Sequence, residues 1–342
     1  MIRRRVALLA ALPGLVLAAG RCAPLPRPGG EEEGGIGGTG LRARRGEEEG
    51  GIGGTGVFGT VAALGGVVVN GLRLETTPAT VLETAAAHGP PVLPGDTVAA
   101  EARRTAAGLV AARLAVFHPV IGPLQATADG GWAVLGTRLL LAPDAPLRDA
   151  AGAPLPRGAL RPGAVAAASG IWRGEAVEVT ALRLLADSAP LRVVLRGQYR
   201  AAAAGAPRVG GTPLLLRGLA EPPADGFVTV RGRPGPLGLR VEALDAEPLA
   251  VFAGRVEALS VEGVMAPNAG APGYHLSGFG LPLDPASAVV PRPGQRRLFL
   301  GRYADGFRVT ASIPLPPDAA ARARALAAPE AAAAIRRWLA AG

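Results

Sequence analysis

The chain has 342 residues, of which Gly (50) and Pro (33) make up about a quarter, a level that excludes a mainly helical protein. Hydrophobic residues reach 49% while charged residues are only 18%, so the chain can bury a core and is not disordered throughout. One Cys excludes a disulfide framework and three His leave little for a Cys/His zinc centre; the net charge of +9 is carried by Arg alone, with no Lys, which excludes a Walker A loop and matches the codon bias of a GC-rich genome.

Residues 1–20 read as an export signal. Met1–Arg5 is a short basic segment, Val6–Ala19 an apolar run interrupted by Pro13, and Ala18, Ala19 and Gly20 are the small residues a signal peptidase requires. The run is too short and broken to span a bilayer, and the adjacent arginines also permit a twin-arginine route. Cys22 stands where a lipoprotein cysteine would, but Arg21 occupies the preceding place, where a small residue is needed, so lipid anchoring is disfavoured. The expectation is a periplasmic or secreted protein without a transmembrane span once the signal is removed.

Residues 21–56 form a duplicated leader. Glu31–Gly40 recurs unchanged as Glu47–Gly56, with Leu41–Arg45 between the copies. Such Gly-rich sequence has few side chains to pack and is expected to be a flexible tether. Gly35–Gly40 and Gly51–Gly56 both match G-x-G-x-x-G. That motif binds a dinucleotide only between a strand and a helix, whereas here a Gly/Glu tract precedes it and the strand-like Val57–Val61 follows. No cofactor is expected.

The body reads as a small β unit repeated four times. Val69-Asn70-Gly71-Leu72, Val134-Leu135-Gly136-Thr137 and Leu276-Ser277-Gly278-Phe279 each lead, at the same spacing, to Pro78, Pro143 and Pro285; Val209-Gly210-Gly211-Thr212 is a degenerate copy without the Pro. A second turn follows each one: Pro94-Gly95, Pro162-Gly163, Asp225-Gly226 and Pro293-Gly294. Asn-Gly between apolar runs is a hairpin signal, and Pro-Gly suits a type II turn. Each unit holds about five short strands, and sheets so small avoid open edges by closing. The predicted fold is all-β: four tandem OB-like β-barrel units at 57–121, 122–187, 188–250 (degenerate) and 251–315, with small β-sandwiches as the second choice. Residues 316–342 form an Ala/Arg-rich helical tail, with Asp318 as a cap, Pro329 opening a second helix, and Ile335, Trp338 and Leu339 in an apolar stripe. That stripe is expected to dock on the last barrel; the alternative is weak membrane-surface contact through Trp338, Arg336 and Arg337.

With Gly-Gly-Ile-Gly-Gly-Thr-Gly before the first strand, Gly65–Arg73 after it, and Val120-Ile121-Gly122-Pro123-Leu124 opening the second unit, the chain resembles the bacterial domain-of-unknown-function family 5666. The resemblance implies tandem barrel repeats and an envelope or secreted location, and it implies no catalytic residues.

The residues carry little recognisable chemistry. His88, His118 and His275 fall in different units; His275 shares a strand face with Ser277, but no G-x-S-x-G elbow frames that serine. Asp96, Asp129, Asp144, Asp225 and Asp305 read as turn formers. Glu175 and Glu178 lie on opposite faces of a strand and do not form an acid/base pair. No catalytic, cofactor-binding or metal-binding residue is expected. The aromatics Trp132, Trp172, Phe227, Phe299 and Phe307 stand where core filling is the simpler role, which disfavours nucleic acid, since its single strands need aromatic platforms. The sequence therefore points to a non-enzymatic exported binding or scaffold protein with an envelope polymer or protein as partner; the alternative is an exported nucleic-acid or anionic-polymer binder using OB-like surfaces.

Overall fold

Alternating apolar segments, separated by Gly and Pro turns, give strands in nearly all of the computed structural model, which describes residues 54–83, 92–185, 193–201, 205–246, 256–268, 272–279, 281–288, 292–303 and 306–341. The signal segment, Arg21, Cys22, the first leader copy, His88 and Asp305 lie outside the described residues.

The first barrel comprises β1 (Gly54–Ala63), β2 (Val67–Val69), β3 (Leu72–Glu75), β5 (Thr97–Thr105) and β6 (Gly108–Val116), with a short β4 (Val81–Glu83) alongside β6. The second uses β7 (Val120–Ala126), β8 (Trp132–Val134), β9 (Thr137–Leu141), β11 (Val165–Arg173) and β12 (Ala176–Leu184), with β10 (Leu147–Arg148) added beside β12. The third is β13 (Val193–Arg200), β14 (Arg208–Val209), β15 (Thr212–Leu215), β16 (Phe227–Gly235) and β17 (Gly238–Asp245). The fourth is β18 (Val256–Pro267), β19 (Tyr274–Leu276), β20 (Leu281–Pro282), β21 (Arg296–Tyr303) and β22 (Phe307–Pro314).

All four close by one circuit. The first strand pairs with the second, the second with the third, the third runs parallel to the fifth, the fifth pairs with the fourth, and the fourth returns to the first. In the fourth barrel the parallel link is a single bridge from Leu283 to Phe307. A bulge recurs at the same place in every fourth–fifth hairpin, at Glu101/Ala102, Ser169/Gly170, Arg231/Gly232 and Leu300/Gly301. The repeat seen in the sequence is thus an all-β repeat of small barrels, followed by the helices α1 (Ala319–Ala327) and α2 (Pro329–Ala341).

The barrels are not separate beads. The first strand of each is long enough to be shared: its beginning pairs with the first strand of another barrel, its end with its own second strand. β1 pairs in parallel with β18 over Gly54–Phe58, and β7 pairs antiparallel with β13 at Val120 and Ile121. The first barrel therefore joins the fourth, and the second joins the third. This corrects the reading of the second leader copy as tether throughout: its last residues, Gly54, Thr55 and Gly56, form the shared start of β1, with Thr55 buried.

The apolar cores follow these pairings. One core spans the second and third barrels, from Val120 and Trp172 to Tyr199 and Val241. Another fills the first barrel and continues through Leu298 and Leu300 to Ile335 and Trp338 of α2. A third fills the fourth barrel and gathers Phe58, Phe117, Phe227 and Phe279 where barrels one, three and four meet. Phe58 meets Phe279 edge-on at 4.3 Å, and Phe227 stacks on it at 6.0 Å, favoured ring geometries. The expected core roles hold for Trp172, Phe227, Phe299 and Phe307, all buried, and Trp132 is partly buried.

The turns form as their residues dictate. The amide of Asp96 donates to the Leu93 carbonyl across Pro94-Gly95, and Gly95 has φ 92°, the positive value a type II turn needs at its second central position. Asn70 and Gly71 both have positive φ (56° and 75°), as a type I′ hairpin requires. In the second barrel Leu135 takes the Asn70 place at φ 50°. A leucine there clashes with its own backbone, so Leu135→Asn is expected to raise the midpoint of urea unfolding, with a gain of about 0.5–1 kcal/mol. An unchanged or lower midpoint would contradict this.

Asp318 caps α1 by accepting from the Ala321 amide at 2.6 Å, and Glu330 sits in the first turn of α2. Trp338 Nε1 donates to the Gly301 carbonyl at 2.9 Å, and Ile335 and Leu326 lie against Gly71. The tail thus docks on the first barrel as well as the last. Ile335 and Trp338 of its stripe are buried and Leu339 partly so, whereas Arg336 and Arg337 are exposed. No helix among the described residues is long and apolar enough to cross a membrane.

Candidate functional site

The polar groups worth examining lie where barrels meet. Strand alternation places Arg296 on the same face of β21 as Leu298 and Leu300, so its side chain is carried inward with theirs. There it meets Glu262 of β18 and Glu178 of β12. Arg296 Nε donates to Glu262 Oε1 at 2.8 Å, Nη1 to Glu178 Oε1 at 2.6 Å and Nη2 to Thr60 Oγ1 at 3.0 Å. The Thr60 amide closes the ring on Glu262 Oε2 at 2.7 Å. One planar guanidinium thereby ties together barrels one, two and four, using the fork that only arginine has. Burial alone would raise the Glu262 carboxyl; Arg296, Arg322 and Thr60 overcome it and hold the group below its ordinary value. Burial would lower Arg296, and the two carboxylates lift it above the ordinary arginine value.

A second junction joins barrels one and two. Asp96 lies 3.6 Å from Arg183, both buried, and burial raises the Asp96 carboxyl despite the Leu93 amide and Arg183. Arg148 donates to the Pro94 carbonyl at 2.6 Å, and Thr97 and Thr180 share a buried hydroxyl bond of 3.1 Å.

The repeated hairpins also serve junctions. Asn70 is buried, and its amide donates to Phe58 O, Ser260 O and Ser260 Oγ at 2.9, 3.3 and 3.1 Å. Thr137 and Thr212, equivalent residues of barrels two and three, hydrogen-bond each other at 2.9 Å. Trp172 leans on Gly278 of the fourth barrel so closely that a Cβ there would lie 2.1 Å from its ring. Asn70→Ala removes both the left-handed turn preference and the buried bonds, at an expected cost of about 2–3 kcal/mol, whereas Asn70→Gly keeps the turn and costs less. Denaturant titration of the two variants tests this; equal midpoints for both and the parent would refute it.

The side chains considered for chemistry are engaged structurally. His118 is buried with its Nδ1 3.2 Å from Ser169 Oγ; burial, then Arg196 and Arg183, lower it to about 3, so it is neutral. His275 Nδ1 faces Asn268 Oδ1 at 3.0 Å, while Ser277 Oγ accepts from the Gly174 amide at 3.1 Å, so the two are not drawn together as nucleophile and base. Glu178 is bound by Arg296, whereas Glu175 is exposed 3.7 Å from Arg208. Asp129, Asp144, Asp225 and Asp284 sit in turns or cap backbone amides, as with Asp144 on the Ala319 amide at 2.8 Å. Among the described residues no group of three or more His, Cys, Asp and Glu gathers as a metal site. None of the described aromatic side chains is exposed.

Between α1 and barrels one, two and four lies a cavity of about 370 Å³. Arg296, Glu178 and Glu262 form its floor, Arg148 and Asp144 one side, and Arg322 of α1 its roof. Sequence reasoning missed this set because its members come from separate units. The one signal was a charge at an inward position of an alternating strand, as at Arg296 before Leu298 and Leu300. Comparison with protein-family models, curated proteins and solved structures gives no match to this chain.

Proposed function

We propose that the chain is an exported, non-enzymatic binding or scaffold protein of the cell envelope, periplasmic or secreted, that grips a polymer or protein partner through several barrels at once. The observation that carries this reading is the locking of the four barrels by shared strands and buried ion pairs, which holds their outward loops at fixed spacing. OB-like barrels bind through the loops after the first and fourth strands. Here the loops at Leu64–Gly66, Ala128–Gly130, Gly174–Glu175 and Pro236–Leu237 are largely exposed, Leu237 to 75%. Modules at fixed spacing gain avidity without any single strong site. The family resemblance seen in the sequence supports the same location and the same lack of catalysis. The buried aromatics weigh against single-strand nucleic-acid binding, which stacks bases on exposed rings.

Hydrogen exchange of the mature chain with and without purified cell-wall polymer tests the reading, together with crosslinking pull-down from native envelope. Protection confined to those loops in two or more barrels is expected. Unchanged exchange with every envelope fraction would overturn it, and affinity that collapses steeply with salt on DNA would favour the nucleic-acid alternative.

A further inference from the structure

We infer that the cavity beneath α1 is a binding site for a compact organic monoanion, a carboxylate attached to a small apolar body. This goes beyond the polymer-gripping reading and does not depend on it.

Three observations converge. First, Arg322 is only 9% exposed, lines the cavity, and forms no salt bridge with any described residue; its Nη1 donates to the Pro316 and Pro317 carbonyls. Arg148, half-buried on the adjoining wall, likewise donates only to a carbonyl, that of Pro94. Glu262, Asp144 and Glu178 act on Arg322, and Asp96 on Arg148, only from beyond salt-bridge contact, and burial still holds both arginines below their ordinary value, so each lacks a contacting anion. Arg296, by contrast, is already saturated by Glu178 and Glu262. The anion-seeking groups are therefore Arg322 and Arg148.

Second, the lining sets the charge of the ligand. Three arginines (Arg148, Arg296, Arg322) face three carboxylates (Asp144, Glu178, Glu262). A single negative charge finds two arginines without a contacting carboxylate, whereas a polyanion would meet the carboxylates as well. Third, the remaining wall is apolar and small, with Ala145, Pro146, Ala323 and Leu326 available to an uncharged body. The volume suits a small molecule and not a polymer segment.

Calorimetric titration of the mature chain with hexanoate, benzoate, phenyl phosphate, inorganic phosphate and pyrophosphate tests this. Saturable binding of hexanoate or benzoate is expected, with phenyl phosphate, mostly a dianion at neutral pH, and inorganic phosphate weaker and pyrophosphate weakest. Arg322→Gln is expected to weaken binding tenfold or more, and Arg324→Gln, exposed on the same helix, to leave it unchanged. Should Arg322→Gln unfold, as judged by circular dichroism, Arg148→Gln serves in its place. No heat with either carboxylate at concentrations on the order of 10 mM, tighter binding of the phosphates, or equal binding by the parent and a folded Arg322 or Arg148 variant, would overturn the assignment.

Discussion

Arg296→Met is expected to destabilise the protein by about 3–5 kcal/mol, because removing one partner of a buried ionic cluster leaves the others uncompensated. Three barrels depend on this side chain: Glu262 and Thr60 hold the fourth to the first, and Glu178 holds the second. The loss should be cooperative across probes placed in different barrels. Arg296→Lys keeps the charge but not the fork, and should recover only part of the stability.

The pH dependence distinguishes this from a simple packing defect. In the parent, the Glu262 carboxyl is held below its ordinary value of 4.5, so its contribution is present above that value and is lost as pH falls through the lower, folded value. Without Arg296, burial dominates and the carboxyl rises above 4.5. The folded state then binds the proton more tightly than the unfolded chain. The Glu262 contribution should therefore change sign, so that acidification destabilises Arg296→Met less than the parent, the histidine contributions being common to both. The difference in urea midpoint between parent and variant, followed from pH 7 to pH 3, tests the sign, and Glu262→Gln combined with Arg296→Met should restore part of the loss at neutral pH. Parent-like stability, or a parent-like acid profile in the variant, would refute the account.

How much of this was legible beforehand follows from what each feature requires. A turn is decided by adjacent residues, so Asn70-Gly71, Pro94-Gly95 and the Asp318 cap could be placed from local chemistry alone. The barrel repeat could be read because the same turns return at nearly constant intervals. Pairing of the first barrel with the fourth could not, because β1 meets β18 across some 200 residues, |i−j| being 202 for Thr60 and Glu262. Nothing local to Gly54–Phe58 specifies its neighbour. The glycines of the hairpins looked like turn residues only; that Gly278 also clears space for Trp172 depends on a residue in another barrel. The cavity was illegible for the same reason, although charged residues at inward strand positions, such as Arg296 and Glu262, were visible signs of a junction.

Acidification from pH 6.5 towards pH 3 is expected to cost the folded state on the order of 4 kcal/mol through His118 alone. The residue sits between β6 and β7, fully enclosed, with Ser169 beside it and with Arg196 and Arg183 as the charges facing it. Burial is the largest cause of its depressed value, the two guanidiniums add to it, and the Ala168 backbone bond opposes it. The ring is neutral when folded, with a value of about 3, against 6.5 when free. For a histidine lowered in this way, stability is complete above 6.5 and declines as pH falls, because the unfolded chain takes up the proton first. Each unit of difference is worth about 1.4 kcal/mol. Between pH 6.5 and 4.5 the Glu262 contribution is still intact, so the falling stability there belongs to histidines, with His275, also lowered mainly by burial, adding to it and Asp96, raised by burial, opposing it. His118→Gln keeps a hydrogen-bonding group beside Ser169 but does not titrate. It should flatten the slope of unfolding free energy against pH in that window while changing the value at pH 7.5 less. A slope equal to that of the parent would show that the imidazole is not held neutral by its surroundings.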